Sequence, residues 1–184
     1  AERIALAASS ENLRVCALRP HLIWGPGDNH LLPRLIERNR AGRLKLPAPD
    51  KKIDTVYIDN AAEAHVKALE DLAGPARSAG RAYFVTNGEP RPVAAIMASL
   101  LEAAGERPRI GTVNPKIAMA AATVVEALWR GLRLKRDPPI SRFVVDHLAT
   151  AHWFSTDAAK RDLDWAPTVS MDEGLARLAR SARD

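Results

Sequence analysis

Leu13-Arg14-Val15-Cys16-Ala17-Leu18 is apolar apart from one arginine, and it runs into Arg19-Pro20 and then Gly25-Pro26-Gly27-Asp28-Asn29. An apolar run with no alternation has to be covered on both faces. That is the condition of a strand in a parallel sheet flanked by helices. Proline ends the run because it has no N–H to give to a ladder. The glycine–proline loop then turns the chain.

Two further strand candidates follow at Asp54 to Ile58 and Tyr83 to Thr86, the latter closed by Asn87-Gly88. Helical periodicity fills the intervals. Leu31, Leu32, Leu35 and Ile36 mark one helix, stopped by Gly42, and Leu44 to Pro49 is an extended piece. A helix with the stripe Ala61, Ala62, His65, Ala68, Leu69 and Leu72 is expected to be capped by Asp59 or Asn60. Another runs from Val93 to Ala104 and stops at Gly105. From Pro115 onward the chain reads as helical. One helix reaches Leu132 and one runs from Ser141 to His152. A short one, capped by Ser155 or Thr156, ends at Leu163, and a last one opens on the capping box Ser170 to Glu173. Strands alternating with helices give an α/β class with a helical tail.

The 184 residues are 47% hydrophobic and 27% charged, which excludes a disordered chain. The net charge of +5 is dispersed among acids, so it reads as a solvated surface and not as a nucleic-acid footprint. The single cysteine, Cys16, excludes an internal disulfide and reads as a buried small hydrophobe. The longest apolar run, Ile117 to Val125, is far shorter than the ~20 residues of a spanning helix. No signal peptide is seen, and a soluble cytoplasmic protein is the expectation. Ala1 to Ala8 are helix formers with no capping residue before them, as in a helix whose start lies upstream.

Most searches for chemistry return nothing. The chain has no G-x-G-x-x-G, no G-x-x-x-x-G-K and no G-x-S-x-G, and His21, His30, His65, His147 and His152 lack metal-ligand spacing. A tyrosine with a lysine four residues on would make a proton donor, because the cation lowers the phenol's pKa. Ala61 and Asn87 stand four residues after Tyr57 and Tyr83, so no such pair is present.

Three phrases are informative together: Leu18-Arg19-Pro20-His21-Leu22-Ile23-Trp24-Gly25-Pro26-Gly27-Asp28, Val56-Tyr57-Ile58-Asp59-Asn60-Ala61-Ala62-Glu63-Ala64-His65, and Ala159-Lys160-Arg161-Asp162-Leu163-Asp164-Trp165-Ala166-Pro167. In this order they resemble the extended short-chain dehydrogenase/reductase superfamily, in its 3β-hydroxysteroid dehydrogenase branch. Within that branch the chain is similar to the bacterial ketoreductases of olefin biosynthesis. The Leu22 to Leu35, Tyr57 to Ala62, Thr86 to Pro90 and Arg142 to Ser155 stretches carry that finer likeness.

The resemblance implies the C-terminal half of a Rossmann-type doubly wound parallel sheet, plus a mainly helical substrate-binding region. Residues 1–28 would be the end of the catalytic helix, a sheet strand and the nicotinamide-side turn. Residues 29–110 would mix substrate-region and Rossmann elements, and 111–184 would be helical. The implied activity is hydride transfer from NADP or NAD to the keto group of a lipid-like substrate, of 2-alkyl-3-oxoalkanoate or 3β-hydroxysteroid type.

Pro20, His21, Leu22 and Ile23 would hold the nicotinamide end. Trp24, Asn29, His30, Leu31 and Leu32 would meet the substrate, with the helices after Pro115. The helix from Pro115 to Leu132, apolar almost all round, reads either as packing or as a lipid-facing or partner-facing wall. A homodimer, and contact with a membrane surface or a pathway enzyme, also belong to this reading. The catalytic Tyr-x-x-x-Lys pair would lie upstream of Ala1, so these residues alone would be inactive. Two alternatives stay open: a sugar-nucleotide epimerase or dehydratase of the same superfamily, and a non-catalytic binding fragment. Ile53 stands where those sugar-nucleotide enzymes carry a phosphate-gripping arginine, although Lys51 and Lys52 are close by.

Overall fold

A computed structural model describes residues 1–134, 138 and 140–183. The elements in chain order are α1 (Glu2–Ala7), β1 (Ala17–Pro20), β2 (Ile23–Trp24), α2 (Leu31–Arg40), β3 (Lys45–Leu46), β4 (Lys52–Ile53), β5 (Val56–Tyr57) and α3 (Ile58–Ala73). They continue with β6 (Ala82–Val85), β7 (Arg91–Pro92), α4 (Val93–Ala103), β8 (Gly111–Thr112), α5 (Pro115–Gly131), α6 (Arg142–Ala149), α7 (Asp157–Leu163) and α8 (Met171–Ser181). Three of the four strand pairs, β1–β6, β2–β5 and β3–β8, are parallel, and β4–β7 is antiparallel. This is the Rossmann-type parallel architecture that the resemblance implies, and its α/β class is the one that the alternation predicts.

The chain divides into two units, each built from separate stretches. The first contains Ala1–Leu31, Asp54–Pro90 and Trp153–Asp184. Its core lies on the β1–β6 pair, where Val56, Tyr83 and Val85 meet Ala61, Ala64 and Ala68 of α3 and Ala159 and Leu163 of α7. Alanines at three- and four-residue steps let a helix lie close on a sheet. Cys16 packs partly buried against this cluster, and burial pushes its thiol up, as a small hydrophobe requires.

The second unit contains Leu32–Ile53 and Arg91–His152. Asn39 of α2 ties it together, donating to the Arg107 carbonyl at 3.0 Å and accepting from the Arg109 N–H at 2.7 Å. α5 starts on Asn114, whose side chain accepts from the Lys116 N–H, with Pro115 in the first turn where its missing N–H costs nothing. Ala118 and Ala122 pack on Val145 of α6.

The structure differs from the pattern reading at several points. The first strand begins at Ala17 and includes Arg19 and Pro20, because β6 pairs only from Ala82. Asp54 to Ile58 is no single strand: β4 ends at Ile53, β5 is two residues long, and Ile58 already belongs to α3. Neither Asp59 nor Asn60 caps that helix; Tyr57 precedes it without a side-chain bond. Its buried face is Asn60, Ala61, Ala64, Ala68 and Asp71, which leaves Leu69 exposed. At α8 half a capping box forms. Ser170 accepts from the Glu173 N–H at 3.2 Å, while the Glu173 carboxylate turns to Arg177 at 2.9 Å.

Candidate cofactor and substrate site

β1 ends with Pro20 in register with Val85 of β6. The ladder runs one step further, since the His21 N–H donates to the Val85 carbonyl at 3.2 Å. Leu22 then turns with φ 48°. A left-handed leucine costs roughly 1–2 kcal/mol and persists only where its surroundings hold it. Here the Val56 N–H donates to the Leu22 carbonyl at 3.3 Å, and β2 starts at Ile23 against β5. The chain thus changes partner strand from β6 to β5 within three residues. A change of neighbour at the carboxyl end of a parallel strand is where open α/β sheets take ligands. Among the described residues the Leu22 N–H has no partner, and the Ile23 side chain is exposed.

The His21 ring faces inward. Its Nδ1 lies 2.7 Å from the Asp54 carbonyl, which can only accept, so Nδ1 donates. The ring meets Phe154 edge-on, and Phe154 stacks on Phe84. Asp54 itself is 1% exposed. Its Oδ1 accepts from the Thr55 N–H at 2.8 Å and the Glu89 N–H at 3.4 Å, yet burial outweighs these bonds and raises its pKa. Glu89 in turn accepts from the Met171 N–H at 2.7 Å, at the first turn of α8.

Trp24 is 1% exposed. Its indole N–H donates to Thr55 Oγ1 at 2.9 Å, and its ring meets Tyr57 in a T-shaped contact. The side chain is committed to the core. A Cβ on Gly174 would come within 2.7 Å of Tyr57 Cδ2 and 2.9 Å of Trp24 Cη2, so α8 lies against this pair only because it carries glycine there. Gly25 is equally confined, since a Cβ there would collide with the Ile58 side chain. Asp28 Oδ1 accepts from the His30 N–H at 2.8 Å and the Leu31 N–H at 3.0 Å and so caps α2. Asn29 and His30 are exposed, and Leu31 is half-buried. Leu32 falls in the second unit.

Asn60 and Asn87 join the phrases. Asn60 accepts from the Thr168 and Val169 N–H groups at 3.1 and 3.0 Å and donates to the Val169 carbonyl at 2.7 Å. Asn87 accepts from the Tyr57 N–H at 3.0 Å and donates to the Val169 carbonyl at 2.9 Å. Both amides are buried. Pattern reading missed this pair, and it missed Asp54, Glu89 and Asp28. The signal for Asp54 was a lone carboxylate against a buried strand. The others looked like ordinary turn residues.

The arrangement is suited to binding. Burial pushes Tyr57 up, and burial followed by the bond to Asp162 pushes Tyr83 up to about 12. Neither phenol is tuned downward as a proton donor near neutrality has to be. The site supplies a strained backbone turn, an exposed Ile23 and a rigid floor of Trp24, Thr55 and Tyr57.

Residues 1–114 match the model of the 3-beta hydroxysteroid dehydrogenase/isomerase family. The chain belongs to that family. This member is 48% identical over 184 residues to the 2-alkyl-3-oxoalkanoate reductase of Stenotrophomonas maltophilia, covering 99% of the chain and 56% of the relative. Among solved structures it resembles the crystal structure of gox2253, with TM-score 0.68, 24% identity, and coverage of 99% of this chain and 53% of that one. It also resembles UDP-glucuronic acid 4-epimerase from Bacillus cereus, with TM-score 0.59, 17% identity, and coverage of 94% and 46%. The chain therefore spans about half the length of the relatives it matches. The likeness to these two solved structures shows the fold alone.

Proposed function

We propose that this chain is part of an NAD(P)-dependent oxidoreductase that reduces the keto group of a lipid-like substrate of 2-alkyl-3-oxoalkanoate type. The observation that carries this reading is the 48% identity along the whole chain to a reductase of that description. The reduced nicotinamide would supply the hydride. In this reading Pro20 fixes the strand end, the Leu22 N–H would donate to a carboxamide oxygen, and the exposed Ile23 would be an apolar rest for a flat ring. The His21 N–H is spent on Val85, so His21 contributes through its buried ring, which holds Asp54 beneath the turn. NADP or NAD is the cofactor of this reading. Asn29, His30, Leu31 and Leu32 remain its substrate-side residues, with Trp24 contributing from the floor.

The sugar-nucleotide reading has the fold in its favour, but Ile53 counts against it. That side chain is buried in β4, where the related chemistry calls for an exposed arginine. The test is a chain-length series of 2-alkyl-3-oxo acids, run with a UDP-sugar competitor on a polypeptide that carries these residues at the full length of its relatives. Each buried CH₂ is worth about 0.8 kcal/mol, so kcat/KM rises with chain length and the UDP-sugar does not compete. A flat series with strong UDP-sugar inhibition moves the chain to the epimerase reading.

A further inference from the structure

Four non-glycine residues among the described ones have a left-handed backbone: Leu22, Ala76, Arg133 and Asp164. Three of them lie just beyond helices, Ala76 after α3, Arg133 after α5 and Asp164 after α7, where such a residue helps to close the last turn. Leu22 is the exception. It stands between two strands and carries a bulky side chain, and a left-handed backbone at such a residue has to be held from outside.

Three hydrogen bonds bracket it. The His21 N–H donates to the Val85 carbonyl at 3.2 Å, the Val56 N–H donates to the Leu22 carbonyl at 3.3 Å, and the His21 Nδ1–H donates to the Asp54 carbonyl at 2.7 Å. Both backbone bonds are long, and the ring bond is the shortest of the three. The ring and the Leu22 carbonyl are thus anchored on one short segment, Asp54 to Val56. That segment is itself tied down. Asp54 is buried, its Oδ1 accepts from the Thr55 N–H at 2.8 Å, and the Thr55 carbonyl accepts from the Asn87 N–H at 2.7 Å. Phe154 meets the imidazole edge-on, with 5.5 Å between centroids, and is stacked on Phe84.

We propose that His21 is a positioning residue whose imidazole latches Leu22 in the left-handed conformation and thereby aims the Leu22 N–H. The inference rests on the reading above, in which that N–H would meet the carboxamide of the nicotinamide. With the ring bond in place, His21 is fixed at its N–H and at its side chain, and Leu22 is fixed at its carbonyl. The Leu22 backbone has to join these two fixed ends. Without the ring bond, only two long bonds oppose relaxation of Leu22 to an ordinary conformation, and its N–H turns away as it relaxes. The side chain of His21 therefore acts on cofactor binding through the backbone of its neighbour.

The test uses a polypeptide that carries these residues at the full length of its relatives. His21→Phe keeps an aromatic ring against Phe154 and removes the donor. In the ligand-free protein it should speed exchange of the Val56 amide proton about tenfold, the size of one lost hydrogen bond. It should raise the NADPH dissociation constant and the cofactor KM by a similar factor, with kcat changed much less. His21→Asn keeps an N–H where Nδ1 stands and should recover most of both. The deciding background is Leu22→Gly, because glycine adopts positive φ without steric cost, and there His21→Phe should weaken NADPH binding by less than about threefold. His21→Leu is a second donor-free variant, read in the same way, should the phenylalanine fail to fold. Unchanged Val56 exchange in the donor-free variants overturns the latch, and so does an equal loss of NADPH binding in the leucine and glycine backgrounds. A parent that binds neither NADPH nor NADH overturns the oxidoreductase reading and the role in cofactor binding with it, while the hold on Leu22 is then decided by Val56 exchange alone.

Discussion

Leu22 keeps a left-handed backbone without being glycine, at the one place where the chain exchanges β6 for β5 as its neighbour. Beneath that turn sits Asp54, and its titration is open to measurement. Burial raises its pKa in the folded state, so the fold holds the proton more tightly than the unfolded chain does. The stability this contributes is complete below the ordinary carboxylate range and is lost as pH rises through the raised value. Asp54→Asn keeps a carbonyl acceptor for the Thr55 and Glu89 N–H groups and removes the charge. The melting temperature of Asp54→Asn minus that of the parent should therefore climb as pH rises through the acid range and level off beyond it. A difference independent of pH would show that Asp54 is not the titrating group. Gly174 gives a second residue-scale expectation. Alanine there places a Cβ within 3 Å of both Tyr57 and Trp24, and overpacking of this kind costs roughly 1–3 kcal/mol. Denaturant unfolding of Gly174→Ala should show that loss, whereas Ala182→Gly on the exposed end of α8 should cost less.

α3 shows what pattern reading did and did not resolve at the scale of an element. Its existence and its stop at Gly74 were legible from periodicity. Its buried face was not, because a run of alanines has nearly the same hydrophobicity on every side. The deciding residue is Asn60, a polar group that pattern reading places at a cap and that packing places in the interior, between Asn87 and the Thr168–Val169 backbone. Two buried amides and a returning chain segment satisfy one another there. Removing one partner leaves the others desolvated and unpaired. Asn60→Ala should accordingly cost about 2–4 kcal/mol and cut the amide-exchange protection of Thr168 and Val169. A loss below ~1 kcal/mol would mean that water replaces the amide in full.

At the scale of the molecule, these 184 residues contain no Tyr-x-x-x-Lys pair and no G-x-G-x-x-G turn, and both tyrosines present are raised by burial. A polypeptide of these residues alone is expected to oxidise no NADPH with a 2-alkyl-3-oxo acid, and measurable turnover by it would show that they hold a proton donor other than a Tyr-x-x-x-Lys pair. The sequence by itself determined the α/β class, the family likeness, most helices and the turn at Pro20 to Ile23. These follow from local periodicity, proline and glycine, and from motif residues whose spacing is a property of the chain. Only the tertiary structure decided that Trp24 is core, that Asp28 is a cap, that Asp54 is a buried carboxylate, and that two units are interleaved along the chain. Burial and pairing depend on residues far away in sequence. His21 with Asp54, 33 positions on, and Asn60 with Val169, 109 positions on, meet only after the strands have paired.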